Sequence, residues 1–143
     1  MSDWFECKVR YDKVQENGAV KKVTEPYLVD AMSFTEAEAR ITEERAPYIS
    51  GDFSVAAVKR TKIGEIFWDE TGDKWYLSKI VFVQIDEKGG EKKTVSQILV
   101  QAKDFKSALH NLLDGMKGTM QDYEIASIVE TLIMDVYKVK LSK

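Results

Sequence analysis

The sequence is short of the residues that most enzymes and secreted domains rely on. It has one cysteine, one histidine and two prolines in 143 residues. A single cysteine, Cys7, forms no internal disulfide, which suits a reducing compartment. One histidine with one cysteine falls short of the ligand count of a usual zinc site. No uncharged stretch approaches the roughly 18 residues that a membrane-spanning helix needs. The opening residues MSDWFECKVRYDK carry an acid at position 3 and no apolar run, so they do not read as a signal peptide. These absences lead us to expect a cytoplasmic protein with no cofactor and no membrane partner. There is no excess of positive charge either. The formal net charge is -3, which argues against a strongly basic nucleic-acid binder while leaving local basic patches open. What the chain does have is 44% hydrophobic and 31% charged residues, the balance of an ordinary globular protein.

It also repeats itself. Displaced by 71 residues, Trp4 falls on Trp75, Lys8 on Lys79, Gly18 on Gly89, Lys21-Lys22 on Lys92-Lys93, Leu28-Val29 on Leu99-Val100, and Phe34 on Phe105. Between residues 4 and 41 there are eleven identities in thirty-eight ungapped positions, where chance gives roughly two or three at average residue usage. The likeness resumes at an offset of 70, where Ala56, Thr61 and Ile63 meet Ala126, Thr131 and Ile133. Periods of this size mark duplicated structural units.

Each copy has the same pattern. Phe5, Cys7, Val9 and Tyr11 alternate with Trp4, Glu6, Lys8, Arg10 and Asp12, the period of two of a half-buried strand over residues 4–15. Asn17-Gly18, and Lys88-Gly89-Gly90 in the second copy, signal hairpin turns into return strands over Val20 to Ala31 and Glu91 to Ala102. Tyr27, Val29 and Ala31, and Ile98, Val100 and Ala102, form their inward sets. Pro26 lacks an amide hydrogen, which predicts an edge or a bulge there. Ser33-Phe34-Thr35-Glu36 is a capping box that opens a helix running to Arg45, and Pro47 stops it. Asp104 is the matching cap. Ala108, Leu109, Leu112, Leu113 and Met116 predict a more deeply buried second helix. Phe53 to Thr61 with Ile63 to Trp68 close the first copy, and Tyr123 to Thr131 with Leu132 to Val139 close the second. We therefore expect an α+β fold: one compact domain over 1–143, built of two tandem ββαββ repeats, 4–68 and 75–139, with pseudo-twofold symmetry and antiparallel sheet packed by two helices. The six-residue connector Asp69 to Lys74 predicts halves that share a sheet or core.

The chemistry is sparse. His110 lies between Leu109 and Asn111 on the second helix, as a surface histidine does, and Cys7 sits on an apolar strand face with no activating neighbour in the motif. Gly89-Gly90 before Lys92-Lys93 lies between two strands, whereas a phosphate-binding loop joins a strand to a helix. Glu36, Glu38, Glu43 and Glu44 read as a solvated helix face, and Glu124, Glu130 and Asp135 form no acid–base couple. The pattern points to a non-enzymatic binding module, with a carboxylate-based enzyme as the weaker alternative. Trp4, Lys8, Arg10, Lys21 and Lys22, with Trp75, Lys79, Lys92 and Lys93, pair aromatic rings with cations in both copies, the combination that binds single-stranded nucleic acid by stacking and phosphate contact. The alternative is a protein-interaction or self-assembling module with no nucleic-acid role, pairing through an edge strand with a homo-oligomer or protein partner. Leu77, Val81 and Val83 share the face of Trp75, so a buried, purely structural tryptophan is the competing reading there.

The blocks WFECKVRYDKVQENGAVKKVTEPYLVDAMSFTEAEARI, ISGDF, KWY, LVQA, GMKGTMQDYEIASIVET and IMDVY resemble a family of Bacteroidetes and of their phages and mobile elements, classed as a domain of unknown function. The resemblance spans about residues 4 to 137. It implies a bacterial or phage-derived intracellular protein and a DNA-transaction accessory role, and it brings no catalytic or binding residue with it.

Overall fold

Alternation along the first strand sets the architecture. In the computed structural model, which describes residues 3–138, strand β1 (Asp3–Val14) turns Phe5, Cys7 and Val9 into a core and leaves Lys8 and Arg10 exposed on the other face. It pairs antiparallel with β2 (Val20–Ala31) through a turn in which Gly18 takes a positive φ of 83°, a conformation that glycine adopts without steric cost. Helix α1 (Phe34–Arg45) follows. The Ser33 hydroxyl accepts the Glu36 amide, as the capping box requires, but the Glu36 side chain reaches one residue further back than expected and accepts from the Met32 amide. A short 3-10 turn, Ala46–Tyr48, takes up Pro47, and β3 (Phe53–Arg60) and β4 (Ile63–Phe67) complete the first copy. The second repeats the order with β5 (Lys74–Ile85), β6 (Glu91–Ala102), α2 (Phe105–Gly115), β7 (Tyr123–Glu130) and β8 (Val136–Tyr137). The last strand is much shorter than its sequence suggests, and Val139 lies outside the described residues.

The strands do not close within their own copies. One four-stranded sheet has the order β3-β1-β2-β8, the other β4-β6-β5-β7. β4 of the first copy runs parallel to β6 of the second, and β8 of the second runs parallel to β2 of the first. Each copy therefore gives its last strand to the other's sheet. Two compact units result: one runs from the N-terminal end to Thr61 and takes in the chain from Leu132 onward, and the other is Lys62–Thr131. Sharing between halves, expected from the short connector, takes the form of reciprocal strand exchange.

The two sheets match in detail. β3 bulges against β1 at Ala56, and β7 bulges against β5 at Ala126. β2 is ladder-paired on both sides only at Leu28 and Val29. Beside Pro26 the outer side carries a hydrogen bond from the Met134 amide to the Pro26 carbonyl, which asks nothing of the missing amide hydrogen. In the first unit Phe5, Cys7, Val9, Tyr27, Val29 and Ala31 pack against Ala37 and Ile41 of α1. In the second, Tyr76, Ile80, Ile98, Val100 and Ala102 pack against Ala108, Leu112 and Met116. Leu109 and Leu113, read from sequence as part of that core, are 36% and 46% exposed: only the narrow 108–112–116 stripe meets the sheet, so α2 is no more deeply sunk than α1. No helix among the described residues is long and apolar enough to cross a membrane.

A filled site and its open counterpart

The nine residues read from sequence as a nucleic-acid track do not come together as one surface. On β1, Lys8 and Arg10 are exposed on the face turned from α1, with Trp4 half-buried at the same face's other end. In the register, Lys22 lies opposite Asp12, and Lys21 opposite Lys13. Alternation sends Lys22 to the face of Lys8 and Arg10, and Lys21 to the helix side. In the second unit Lys93 shares the face of Lys79 and Lys92 does not. Trp75 is 2% exposed, with its ring edge-on to Trp68 at 5.7 Å between centroids. It has no free face on which a base could stack, which removes one of the two expected rings.

The repeated tryptophans have another property in common. The Trp4 carbonyl accepts from both the amide and the hydroxyl of Thr61, at 2.9 and 2.8 Å. The Trp75 carbonyl accepts the same pair from Thr131, each at 2.8 Å. These threonines end β3 and β7, where the chain leaves one unit for the other. The Trp backbone thus anchors each crossover.

A denser cluster, marked by no linear pattern in the sequence, lies elsewhere in the first unit. On the helix side of the first unit, the Glu25 carboxylate accepts from the Tyr11 hydroxyl at 2.8 Å and the Tyr27 hydroxyl at 3.1 Å, and Lys13 stands 3.8 Å from its other oxygen. The Arg45 guanidinium, from the last turn of α1, lies 4.6 Å from the Tyr27 ring centre and 5.1 Å from that of Tyr48. It donates to the Tyr137 hydroxyl at 3.0 Å, and Tyr137 stacks on Tyr27 at 6.0 Å. The Arg45 Nε is buried without a hydrogen-bond partner, so ring contact holds this guanidinium as much as hydrogen bonding does. Burial first, then the nearby Glu25 charge, raises the Tyr27 phenol well above its ordinary value; burial first also raises Tyr11 and Tyr137. Burial, the largest single influence, lowers Arg45, but its bond to Tyr137 together with the nearby Tyr137, Tyr27 and Glu25 charges outweighs that and leaves it raised. Phenols held this high stay protonated near neutral pH, so none of these three tyrosines serves as a general base there.

The equivalent position in the second unit is open. A groove of about 470 Å³ is lined by Gly64, Glu65, Phe67, Phe82, Ser96, Ile98, Gly115, Met116, Lys117 and Thr119, among others. At the repeat offsets, Phe67 corresponds to Tyr137 and Phe82 to Tyr11, while Ser96 stands for Glu25 and Ile98 for Tyr27; one helical turn beyond the matched pairs Ala37/Ala108 and Ile41/Leu112, Gly115 stands for Glu44 and Met116 for Arg45. Each of these last four exchanges shortens or trims the side chain. Two aromatic walls remain, and the groups that fill the space in the first unit are gone. Gly115 is required: a Cβ there would run into the Phe67 ring. The clue in the sequence was the set of positions where the copies differ, whereas the duplication had drawn attention to those where they agree.

Other candidates are quiet. His110 is exposed on α2. Cys7 is fully buried, and burial pushes its thiol up to about 11. Among the described residues no group of three or more His, Cys, Asp or Glu is arranged to hold a metal ion. In comparisons with known proteins, a family model described as Domain of unknown function (DUF4494) matches residues 3–139. No curated protein and no solved structure matches.

Proposed function

Since the chain belongs to the DUF4494 family, whose description assigns no activity, its role has to be read from its own residues, and we propose that it is a non-enzymatic binding module with its ligand site in the groove of the second unit. One observation carries this reading. Two copies of one design share the same aromatic walls, and one copy fills the space between helix end and sheet with its own side chains while the other leaves about 470 Å³ open. Concave sites with apolar walls and a few polar groups are where ligands bind; here Ser96, Thr119 and Glu65 supply the polar groups. The test is an amide-resolved NMR titration with a panel of small aromatic, cationic and anionic fragments. Shifts concentrated at Phe67, Ser96 and Thr119, sparing Tyr27 and Tyr137, are expected. A panel that moves no groove amide would sink the proposal.

A second reading rests on a different surface. Lys8, Arg10 and Lys22 are exposed on one face of the first sheet, and Lys79 and Lys93 on a face of the second, which supports phosphate contact with single-stranded nucleic acid of phage or mobile-element context. A fluorescent oligonucleotide titrated at two salt concentrations tests it. Binding that weakens steeply with salt supports this reading, and no binding at low salt removes it.

A further inference from the structure

We propose that the groove of the second unit receives an arginine side chain presented by a partner polypeptide, and that its walls select the guanidinium group. This rests on reading the groove as the binding site. The first unit shows what this framework holds when it is filled: at the position equivalent to Met116, the Arg45 guanidinium lies against aromatic rings and bonds to Tyr137. In the second unit the two rings that flank Arg45 have no counterpart, Ile98 standing for Tyr27 and no ring lining the groove in place of Tyr48, but the other two rings of the cluster are kept as Phe67 and Phe82, and no arginine lines the groove. A planar guanidinium is weakly hydrated and stacks on ring faces, whereas a compact ammonium keeps its water.

Charge points the same way. Two charged residues line the groove, Glu65 and Lys117. The Lys117 ammonium is engaged by the Asp114 carboxylate at 3.0 Å. Glu65 is exposed and makes no ion pair among the described residues. In the first unit its counterpart Asp135 turns its carboxylate onto the Val136 amide, and Tyr137 takes the guanidinium instead. Phe67 has no hydroxyl to offer, and the longer Glu65 is the acceptor that replaces it. The groove therefore presents two rings and one uncommitted carboxylate, which complements a cation with a flat apolar face.

The experiment titrates the full chain with N-acetyl-arginine amide, its lysine counterpart, and cytidine monophosphate, each followed by amide shifts. The arginine probe is expected to move Phe67, Ser96 and Thr119, with an affinity about fivefold above that of the lysine probe from ring contact. Glu65→Gln, at an exposed position, is expected to weaken it about fivefold and to flatten its salt dependence. Met116→Arg, which supplies the guanidinium from within, is expected to abolish binding. Arg45→Ala empties the first unit's site, and a folded variant is expected to take up a second equivalent of probe. Equal affinity for arginine and lysine, a preference for the nucleotide, or a folded Arg45→Ala that still binds one equivalent overturns the guanidinium assignment and leaves the groove as a site of other specificity. If none of the three probes, nor any fragment of the wider panel, moves a groove amide, the assignment and the underlying reading fail together.

Discussion

At the scale of single residues, identical positions in the two copies carry different burdens. Thr61 and Thr131 each saturate a Trp carbonyl, so the tryptophan phrase is tied to backbone geometry as well as to ring chemistry. Cys7 allows a direct test of core integrity. Its folded thiol titrates at about 11 against an ordinary value of 9.0. Between those limits the unfolded chain loses the proton and the folded chain keeps it, so ionisation favours unfolding, and stability falls as pH rises from 9 to 11. Below pH 9 this contribution is fully present. Denaturation midpoints measured at pH 8 and pH 10.5 are expected to drop for the natural protein and to drop less for Cys7→Ala. Tyr27 and Tyr137, raised in the same direction, account for part of the remaining slope. A thiol reagent at pH 8 is expected to leave the folded protein unlabelled and to react fully on unfolding.

At the scale of elements, the caps and turns follow local chemistry. Ser33→Ala removes the hydroxyl that accepts the Glu36 amide and is expected to cost about 1 kcal/mol in chemical denaturation. This is also where the sequence was most legible. The return strands span Val20–Ala31 and Glu91–Ala102 as read, because the inward residues alternate cleanly and the glycine turns fix the register. Helix α1 starts at Phe34, directly after its Ser33 cap, and runs to Arg45 as its capping box and Pro47 foretell. The misreadings have physical causes. Leu109 and Leu113 read as core in the sequence because an apolar stripe is visible there while the width of the surface it meets is not. Val136–Tyr137 is short because a parallel edge strand is defined by the partner it finds, and that partner lies more than a hundred residues earlier. The Arg45 cluster was invisible because it joins residues from β1, β2, α1, the 3-10 turn and β8, and nothing in linear spacing links Arg45 to Tyr137.

At the scale of the whole molecule, dependence between the copies is unequal. The second unit is continuous from Lys62 to Thr131, whereas the first needs Leu132 onward to complete its sheet. A chain ending at Thr131 is expected to lose protection from hydrogen exchange along β2, where Leu28 and Val29 lose their outer partner, while the β4-β6-β5-β7 sheet keeps its protection. Loss of the Tyr137 ring from its stack on Tyr27 should by itself destabilise the first unit by about 1 kcal/mol. Equal loss of protection in both sheets would show that the units fold as one. The exchange of strands also bears on synthesis. Domains ordinarily mature in the order in which they leave the ribosome. Here every strand of the second unit is made before Val136 and Tyr137 exist. The unit whose strands are mostly translated first is therefore the unit that finishes folding last, its open β2 edge waiting for Val136 and Tyr137 to arrive.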